Sequence, residues 1–231
     1  MLLSIIIPVY NEQNTIKTIL KKIEKINFIK KEIIIINDGS NDNTSQIIKE
    51  ECSNLYNECI NLDRNYGKGY ACRLGLNKAN GDIILIQDAD LEYDPNDYKK
   101  LIEPILSGLS NVVYGSRVLY GGVRKRPFSF DVIIRMFANY FLTYLSNLLN
   151  KQKLTDAHTC YKVFSSSVIK KIHLEQNGFA FCPEVTAKIS KLDEKIIEVP
   201  INYYGRTIKE GKKIRFRDGI EAIKCIIKYS K

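Results

Sequence analysis

Four short apolar runs recur along the first half of the chain, and each is followed by a segment whose apolar residues have helical spacing. The runs cover 2–8, 32–38, 58–63 and 82–88, and a fifth covers 111–117. Ile and Val follow one another there without polar alternation, which is typical of strands buried on both faces. Strands that alternate with helices in this way predict an α/β fold, with a mostly parallel sheet flanked by helices.

The length and composition fit a single domain over 1–231. Of the 231 residues, 45% are hydrophobic and 26% are charged, so the chain can bury a substantial core and is too apolar to be disordered. It begins on an apolar run without a basic leader or a cleavage site, so we expect no signal peptide. Six cysteines without a CxxC pair predict free thiols in a reducing compartment.

Distinctive residues, most of them polar, follow four of the predicted strands at the point where each strand ends. In open sheets of this kind, ligands bind outside the carboxyl ends of the strands. The residues are Pro8, Tyr10 and Glu12 after the first strand, Asp38 after the second, Asp88 and Asp90 after the fourth, and Arg117 after the fifth. This edge of the sheet is therefore the predicted binding site.

The fourth apolar run leads directly into three carboxylates, Asp88, Asp90 and Glu92. In an extended chain side chains alternate, so these three would point to one side and the two intervening residues to the other. Oxygen ligands at this density suit Mg²⁺ or Mn²⁺, and Mg²⁺ usually completes its shell with substrate phosphates. An ordinary acidic turn is the alternative, but the neighbouring strand end at Asp38 favours a functional site.

A glycine-rich stretch, "YGKGYACRLG", precedes the third predicted helix. Lys68 lies between Gly67 and Gly69 at the predicted helix start, where a bound phosphate would gain from the helix N-terminus and from the lysine. An ordinary loop-to-helix turn explains the same residues equally well. The chain has no GxGxxG after its first strand and no GxxxxGK[ST], so neither the dinucleotide fingerprint nor a P-loop is expected.

The stretch 131–150 carries its polar residues in one narrow stripe and is otherwise apolar. It is too apolar for a helix with one face in water and too polar for a comfortable transmembrane span. These properties predict an amphipathic helix that lies at a membrane interface. Burial against the sheet, or in a dimer, is the alternative.

The C-terminal end is strongly basic. From Arg206 to Lys231 the chain has nine Lys or Arg and three Asp or Glu, so this segment supplies +6 of the formal net charge of +9. The last helix, about 216–231, is predicted to be amphipathic, which favours attachment to an anionic lipid surface over a merely solvated face. Tyr203, Tyr204 and Phe216 interleave with basic residues as in nucleic-acid-binding surfaces, but nucleic acid would leave the acidic cluster without a role, so we expect no such partner.

Ordered motifs along essentially the whole chain resemble those of family 2 glycosyltransferases with the GT-A fold, and in particular the dolichyl- or polyprenyl-phosphate mannose synthase group. They include "SIIIPVYNEQNTI", "IINDGSNDNT", "NYGKGYACRLGL", "DADLE", "LTDAHTCYKVF", "FCPEVTAKI" and "EGKKIRFRDG". The resemblance implies a Rossmann-like domain that transfers a sugar, with inversion, from a nucleotide-sugar of the GDP-mannose or UDP-glucose type to a polyprenyl phosphate. It implies a nucleotide-sugar-binding half, 1–117, and a half facing acceptor and membrane, 118–231.

The resemblance also implies roles for individual residues, to which the glycine-rich stretch adds Lys68. The nucleotide-sugar would be held by Pro8, Tyr10, Glu12, Asp38, Lys68, Asp88, Ala89, Arg206 and Lys212. The metal, Mg²⁺ or Mn²⁺, would be held by Asp88, Asp90 and Glu92, the last standing where the mannose synthases commonly have glutamine. The acceptor phosphate would lie near Arg117, Arg206 and Arg215. The catalytic residues would be Asp90, Arg117 and Asp156. Cys182 stands where relatives often have an acid, which leaves Glu184 as the acid there.

The nature of the acceptor decides whether a base is needed. A lipid phosphate is already ionised, whereas a sugar hydroxyl would be helped by a base, for which Asp156 is the candidate and turn capping its alternative role. A transferase of the same fold that acts on a soluble or glycan acceptor is thus the competing function. An inactive scaffold is disfavoured by the intact DAD triplet, and a processive synthase by the lack of any Trp for a QxxRW motif. We expect a cytoplasmic enzyme attached peripherally to the cytoplasmic face of a membrane.

Overall fold

The structure is a computed structural model and describes residues 1–125, 130–207, 210–213 and 216–230. The elements, in chain order, are β1 Leu2–Val9, α1 Ile16–Glu24, β2 Lys30–Asn37, α2 Thr44–Glu51, β3 Glu58–Asn61, α3 Lys68–Lys78, β4 Ile83–Ile86, a 3-10 turn Pro95–Asp97, α4 Tyr98–Leu106, β5 Val112–Ser116, β6 Arg124–Lys125, α5 Phe130–Asn150, β7 Lys162–Ser165, α6 Ser166–Ile169, α7 Phe181–Ser190, β8 Ile196–Pro200, β9 Tyr203–Tyr204 and α8 Phe216–Tyr229.

One seven-stranded sheet, in the order β3-β2-β1-β4-β7-β5-β8, forms the centre of the molecule. β1 pairs in parallel with β2 and β4, and β5 pairs in parallel with β8. The predicted α/β fold with a mostly parallel sheet is therefore confirmed. β7 was not predicted, and it runs antiparallel between β4 and β5. Because β7 and β8 come from 118–231, the two halves of the chain share one sheet.

Apolar side chains cover both faces of this sheet. Ile5 and Ile7 of β1 pack on one face with α1, α2 and α4, and Ile6 packs on the other with α3 and α7. Every residue of β4 is buried. This burial on both faces explains why the sequence runs are continuously apolar rather than alternating.

The carboxyl ends of β1, β2, β4 and β5 open onto one edge of the sheet. β4 and β5 point the same way because both are antiparallel to β7. A small two-stranded sheet of β6 and β9 lies beside that edge and is joined to the main body by a bridge between Tyr93 and Tyr203. The small sheet thereby brings the segment after β9, which begins at Gly205, to the strand ends.

Helix α5 has its polar stripe turned towards the protein. Thr143, Ser146 and Asn150 are buried, whereas Phe137 and Tyr140 are exposed. Val132–Asn150 has the length and hydropathy of a membrane-crossing helix, and only 17% of this stretch is buried. Burial of α5 against the sheet is therefore wrong, because α5 presents an apolar face outward. Burial in a dimer is not tested by a single chain.

Helix α8 uses part of its apolar side for packing. Ala222 and Ile226 pack with Leu142 of α5, and Cys225 and Tyr229 pack with α7. The exposed apolar residues of α8 are Phe216, Ile220 and Ile227. Docking on α5 and α7 therefore divides the apolar side of this amphipathic helix between core and surface.

Two helical glycines provide a matched test of packing between helix and sheet. A Cβ on Gly75 of α3 would lie 2.4 Å from Cγ2 of Ile6, whereas a Cβ on Gly219 of α8 would meet nothing within 4 Å. We expect Gly75→Ala to lower the free energy of unfolding by about 1–3 kcal/mol through overpacking. Gly219→Ala should raise it by about 0.5–1 kcal/mol, because alanine is the better helix former. Urea unfolding of both variants measures this, and equal midpoints would contradict it.

Candidate active site

Four carboxylates at the strand ends each form an ion pair with a lysine or arginine. They come from the segments after β1 and β4, and three of the four cations come from the segment after β9. The pairs are Glu12 with Arg206 and Lys213, Asp88 with Lys68, Asp90 with Arg206, and Glu92 with Lys212. The structure thus brings the predicted acidic residues together with the predicted basic ones, at the edge that the sequence indicated.

The three carboxylates after β4 do not point one way. β4 ends at Ile86, a turn follows at Ala89, and Leu91 adopts a left-handed conformation with φ +62°. The prediction from an extended chain is therefore wrong, because this turn sends each carboxylate to a different partner. Within the described parts of the chain, no three His, Cys, Asp or Glu side chains are grouped to hold a metal.

Asp88 forms an ion pair with Lys68. Nζ of Lys68 donates to Oδ1 of Asp88 at 2.5 Å and to Sγ of Cys160 at 3.0 Å. Burial alone would raise the pKa of Asp88, but the charge of Lys68 lowers it. Asp88 is thus an ionised carboxylate in a nearly closed environment, and Cys160 is a neighbour that the sequence did not assign to the site.

The surroundings of Asp90 oppose its ionisation. Burial, with Glu92 and Asp88 nearby, raises the pKa of Asp90 to about 7, although Arg206 lies 3.0 Å away. A carboxyl group with a pKa near 7 is only partly ionised at neutral pH, and an additional cation beside it would ionise it fully. Asp88 and Asp90 therefore fit the one or two carboxylates that Mg²⁺ takes when phosphates complete its shell.

The carboxylate of Glu92 is occupied by partners other than Asp88 and Asp90. Its oxygens accept hydrogen bonds from Nζ of Lys212 at 2.6 and 2.8 Å, from the backbone N–H of Arg206 at 2.7 Å and from the hydroxyl of Tyr203 at 3.1 Å. A carboxylate with this many donors anchors the segment after β9 to the turn after β4. The residues present fit a metal site of two carboxylates, Asp88 and Asp90, and do not fit a set that includes Glu92.

Glu12 holds the same segment from the other side. Arg206 donates through both terminal nitrogens to its two oxygens, at 3.1 and 3.2 Å, and Lys213 donates at 2.7 Å. Burial opposes ionisation of Glu12, but these hydrogen bonds lower its pKa. Lys213 also donates to the backbone oxygen of Tyr10. The sequence singled out Arg206 and Lys212 but missed Lys213, which stands next to them in the same basic run.

Asp38 closes the N-terminus of α3. Its two oxygens accept from the backbone N–H groups of Tyr66 and Gly67, both at 2.8 Å, and burial raises its pKa. The N–H of Tyr70 donates to a backbone oxygen of the segment before α7. The amides of Tyr66, Gly67 and Tyr70 therefore have internal partners, and Lys68 binds Asp88. A phosphate site at the start of α3 stays a prediction.

Three other predicted contacts lie on the framework of the site. Pro8 is within β1, opposite Ile36 of β2, and Tyr10 follows the strand, half-buried, with Lys213 Nζ 5.7 Å from its ring centre. Ala89 is buried in the core, so its side chain supports the turn after β4 rather than reaching a ligand. Arg215 lies outside the described residues.

Arg117 is paired with Asp156 in an almost closed environment. Nε and Nη2 of Arg117 donate to the two carboxylate oxygens at 2.7 and 2.8 Å, and the backbone N–H of Arg117 adds a third bond at 3.0 Å. Burial opposes ionisation, yet Arg117 lowers the pKa of Asp156 to about 2. Asp156 is fully buried and bonded to a residue 39 positions away, so it is neither the turn cap nor a suitable general base.

These groups are supported by Gln87, Tyr98 and Tyr161, which the sequence did not single out, and by Tyr203. Oε1 of Gln87 accepts from the hydroxyls of Tyr98 and Tyr161, and its amide donates to the backbone oxygen of Asp88. The guanidinium carbon of Arg117 lies 5.3 Å from the ring centre of Tyr203. Glu184, by contrast, accepts from the backbone at 175–176 and from Lys188, so it serves packing rather than the site.

The Arg117–Asp156 pair has a consequence for stability. We expect Asp156→Asn to lower the free energy of unfolding at pH 7 by about 3–5 kcal/mol, because it leaves a buried arginine without its counter-charge. The folded-state pKa of Asp156 is depressed, so its stabilisation is present above the unfolded pKa near 4 and is lost as pH falls towards about 2. The difference in the free energy of unfolding between Asp156→Asn and wild type should therefore be smaller at pH 3 than at pH 7. Urea unfolding at both pH values measures it, and a constant difference would contradict the assignment.

Comparisons with known proteins agree with this architecture. The model of the family described as "Glycosyl transferase family 2" matches residues 4–173. The chain is 33% identical over 222 residues to the UDP-N-acetylglucosamine–dolichyl-phosphate N-acetylglucosaminyltransferase of Methanococcus voltae, covering 87% of this chain and 84% of that protein. It is 28% identical over 214 residues to the dolichol-phosphate mannosyltransferase of Pyrococcus furiosus, covering 92% of this chain and 59% of that protein.

Among solved structures, the fold is similar to that of glucosyl-3-phosphoglycerate synthase from Mycobacterium tuberculosis, crystallised with Mn²⁺, uridine diphosphate and glucosyl-3-phosphoglycerate. The TM-score is 0.74 at 17% identity, over 99% of this chain and 79% of that one. At this identity the likeness concerns the fold. The family match spans more than half of the chain, and the chain therefore belongs to glycosyl transferase family 2 and is a glycosyltransferase of the GT-A fold.

Proposed function

We propose that this glycosyltransferase moves a sugar from a nucleotide-diphosphate sugar to a polyprenyl phosphate at a membrane surface. The position of α5 is the observation that supports a lipid acceptor. Its outward face is apolar, while Asn139 on its inner side reaches the Arg117–Asp156 pair. An apolar surface that begins beside a buried arginine suits a substrate with a hydrocarbon chain and an anionic head. The two relatives named for dolichyl or dolichol phosphate support the same acceptor.

The donor would lie along the ends of β1, β2 and β4. Tyr10 and Asp38 flank the place for the base and ribose, and Asp88 and Asp90 face the place for the diphosphate. A divalent cation held by Asp88 and Asp90, Mg²⁺ or Mn²⁺, would offset the negative charge that grows on the leaving diphosphate. The neighbouring fold crystallised with Mn²⁺ and uridine diphosphate supports a metal of this kind.

The basic segment after β9 supplies the other half of the donor site. Arg206, Lys212 and Lys213 form ion pairs with Glu12, Asp90 and Glu92. A diphosphate would offer these cations charge-assisted hydrogen bonds as well. Donor binding would then be an exchange of partners, in which the diphosphate takes over cations from these carboxylates.

An ionised lipid phosphate attacks without a base, which fits a site where Asp156 is committed to Arg117. Arg117 orients the acceptor phosphate, and the exposed apolar residues of α5, with Phe216 and Ile220 of α8, hold the hydrocarbon side at the interface. The enzyme would thus be peripheral, on the leaflet that faces the nucleotide-sugar pool. The alternative, a soluble or glycan acceptor, would need a base that this arrangement does not offer at Asp156.

The first test identifies the donor and the acceptor together. The purified protein is incubated with polyprenyl phosphate, labelled GDP- and UDP-sugars, and Mg²⁺ or Mn²⁺. We expect label from one donor to enter the organic phase, and EDTA to abolish the transfer. Slow hydrolysis of a donor without labelled lipid would remove the lipid acceptor and leave the nucleotide-sugar site standing.

The carboxylate that we assign to the metal is tested by a matched pair of variants. Asp90→Asn should reduce transfer about 100-fold or more, because it removes a metal ligand and the charge that faces the diphosphate. Asp193→Asn, an equal change at an exposed residue after α7, should leave the rate unchanged. Initial rates at saturating metal give the comparison, and near-normal transfer by Asp90→Asn would remove this residue from the site.

The membrane face is tested by binding to vesicles of anionic and neutral phospholipid. Phe137→Glu should weaken sedimentation with vesicles about tenfold, because it replaces an exposed apolar ring of α5 by a charge. Phe28→Glu is the control, since Phe28 is also exposed but precedes β2, at the opposite edge of the sheet. Equal loss in both variants would show that α5 is not the binding face.

A further inference from the structure

Three residues of the polar stripe of α5 hydrogen-bond to one short loop, 154–157. The side chain of Asn147 accepts from the backbone N–H of Leu154 at 2.9 Å and donates to its oxygen at 2.7 Å. One turn earlier, Thr143 Oγ1 accepts from the backbone N–H of Ala157 at 3.3 Å. The polar residues of this helix therefore bind the helix to the loop, and the apolar residues are left facing outward.

Asn139 extends this pattern to the charged pair. Its Nδ2 donates to Oδ1 of Asp156 at 3.2 Å, and its Oδ1 accepts a longer bond, 3.4 Å, from Nη2 of Arg117. The amide thus turns its donor to the carboxylate and its acceptor to the guanidinium. Both ends are satisfied only when Arg117 and Asp156 keep their mutual orientation, so Asn139 joins the two members of the pair to α5.

The pair leaves one side of the guanidinium available. Nε and Nη2 of Arg117 bind Asp156, and Nη2 also binds Asn139. Within the described residues Nη1 makes no hydrogen bond, and the Arg117 side chain is 14% exposed. The direction in which Nη1 points is set by the carboxylate and the amide on the other side.

We propose that Asn139 is a positioning residue that couples the seating of α5 on lipid to the orientation of Arg117. The helix that meets the membrane, the loop 154–157 and Arg117 move as one unit, so the depth of α5 in the interface sets the height at which Arg117 meets an acceptor phosphate. The proposal rests on the lipid acceptor of the proposed function and adds the residue that links membrane contact to the phosphate-binding group.

A simpler role for Asn139 would be to satisfy polar groups under a helix. Asn147 provides the matched control, because it is the same residue type, eight positions along the same helix, and its bonds go to backbone atoms instead of the charged pair. Asn139→Ala and Asn147→Ala both remove amide hydrogen bonds beneath α5. Only Asn139→Ala frees Arg117 from the helix.

The first readout is transfer to polyprenyl phosphate in vesicles. We expect Asn139→Ala to lower kcat about tenfold, the size of losing a hydrogen bond to a charged group, with little change in the donor KM or in vesicle sedimentation. Asn147→Ala should keep kcat near that of wild type. In an Arg117→Lys background, Asn139→Ala should cause little further loss, because the group that it positions is gone. Equal kcat in the two alanine variants, or an undiminished effect in the Arg117→Lys background, overturns the proposal.

The second readout does not depend on catalysis. Hydrogen exchange is measured with and without vesicles of anionic phospholipid that contain no polyprenyl phosphate. In wild type, vesicles should slow exchange both in α5 and at the backbone N–H of Arg117, which donates to Asp156 at 3.0 Å. In Asn139→Ala the effect at Arg117 should be lost and that on α5 kept, because Asn147 and Thr143 still bind the loop to the helix. A wild-type Arg117 amide that does not respond to vesicles overturns the proposal.

The two readouts separate this inference from the proposed function. Labelled lipid together with an Arg117 amide whose exchange does not respond to vesicles removes the coupling and keeps the lipid acceptor. Coupled exchange without transfer to any lipid phosphate removes the lipid acceptor and keeps the mechanical link between α5 and Arg117.

Discussion

The pairing of acidic strand ends with the basic segment after β9 is the interaction on which the geometry of the site depends. Glu12, Asp88, Asp90 and Glu92 lie close together with little access to water, where unpaired carboxylates would repel one another and lose solvation. Their partners offset that cost and at the same time fix the basic segment over the edge of the sheet. The carboxylates of the site are therefore neutralised by cations of the chain itself.

A second constraint comes from the orientation of α5. Its polar residues bind the loop 154–157 and the Arg117–Asp156 pair, so most of its apolar residues face outward, although Leu142 packs on α8. This arrangement is the reverse of an ordinary surface helix, in which the apolar stripe faces the core. The outward face is the one that we propose for the membrane, and it lies next to the arginine that we assign to the acceptor phosphate.

Several features could be predicted because they follow from local pattern. Continuous apolar runs indicated the strands, which the structure shows, and the residues after these runs meet at one edge of the sheet, as expected. Other features depended on contacts that the pattern does not contain. The left-handed Leu91 separates Glu92 from Asp88, and the depressed pKa of Asp156 arises from Arg117, 39 residues earlier.

The sequence by itself determined the sheet, the family and the stock of charges, because burial and periodicity leave a local record in the chain. The tertiary structure decided which charge meets which. It directed Lys68 to Asp88, Arg206 to Glu12 and Asp90, and the polar stripe of α5 inward. These choices depend on distances between residues far apart in the chain, and electrostatic and hydrogen-bond energies fall steeply with such distances. The pairings of acidic, basic and amide side chains that form the site therefore arise only when the chain folds.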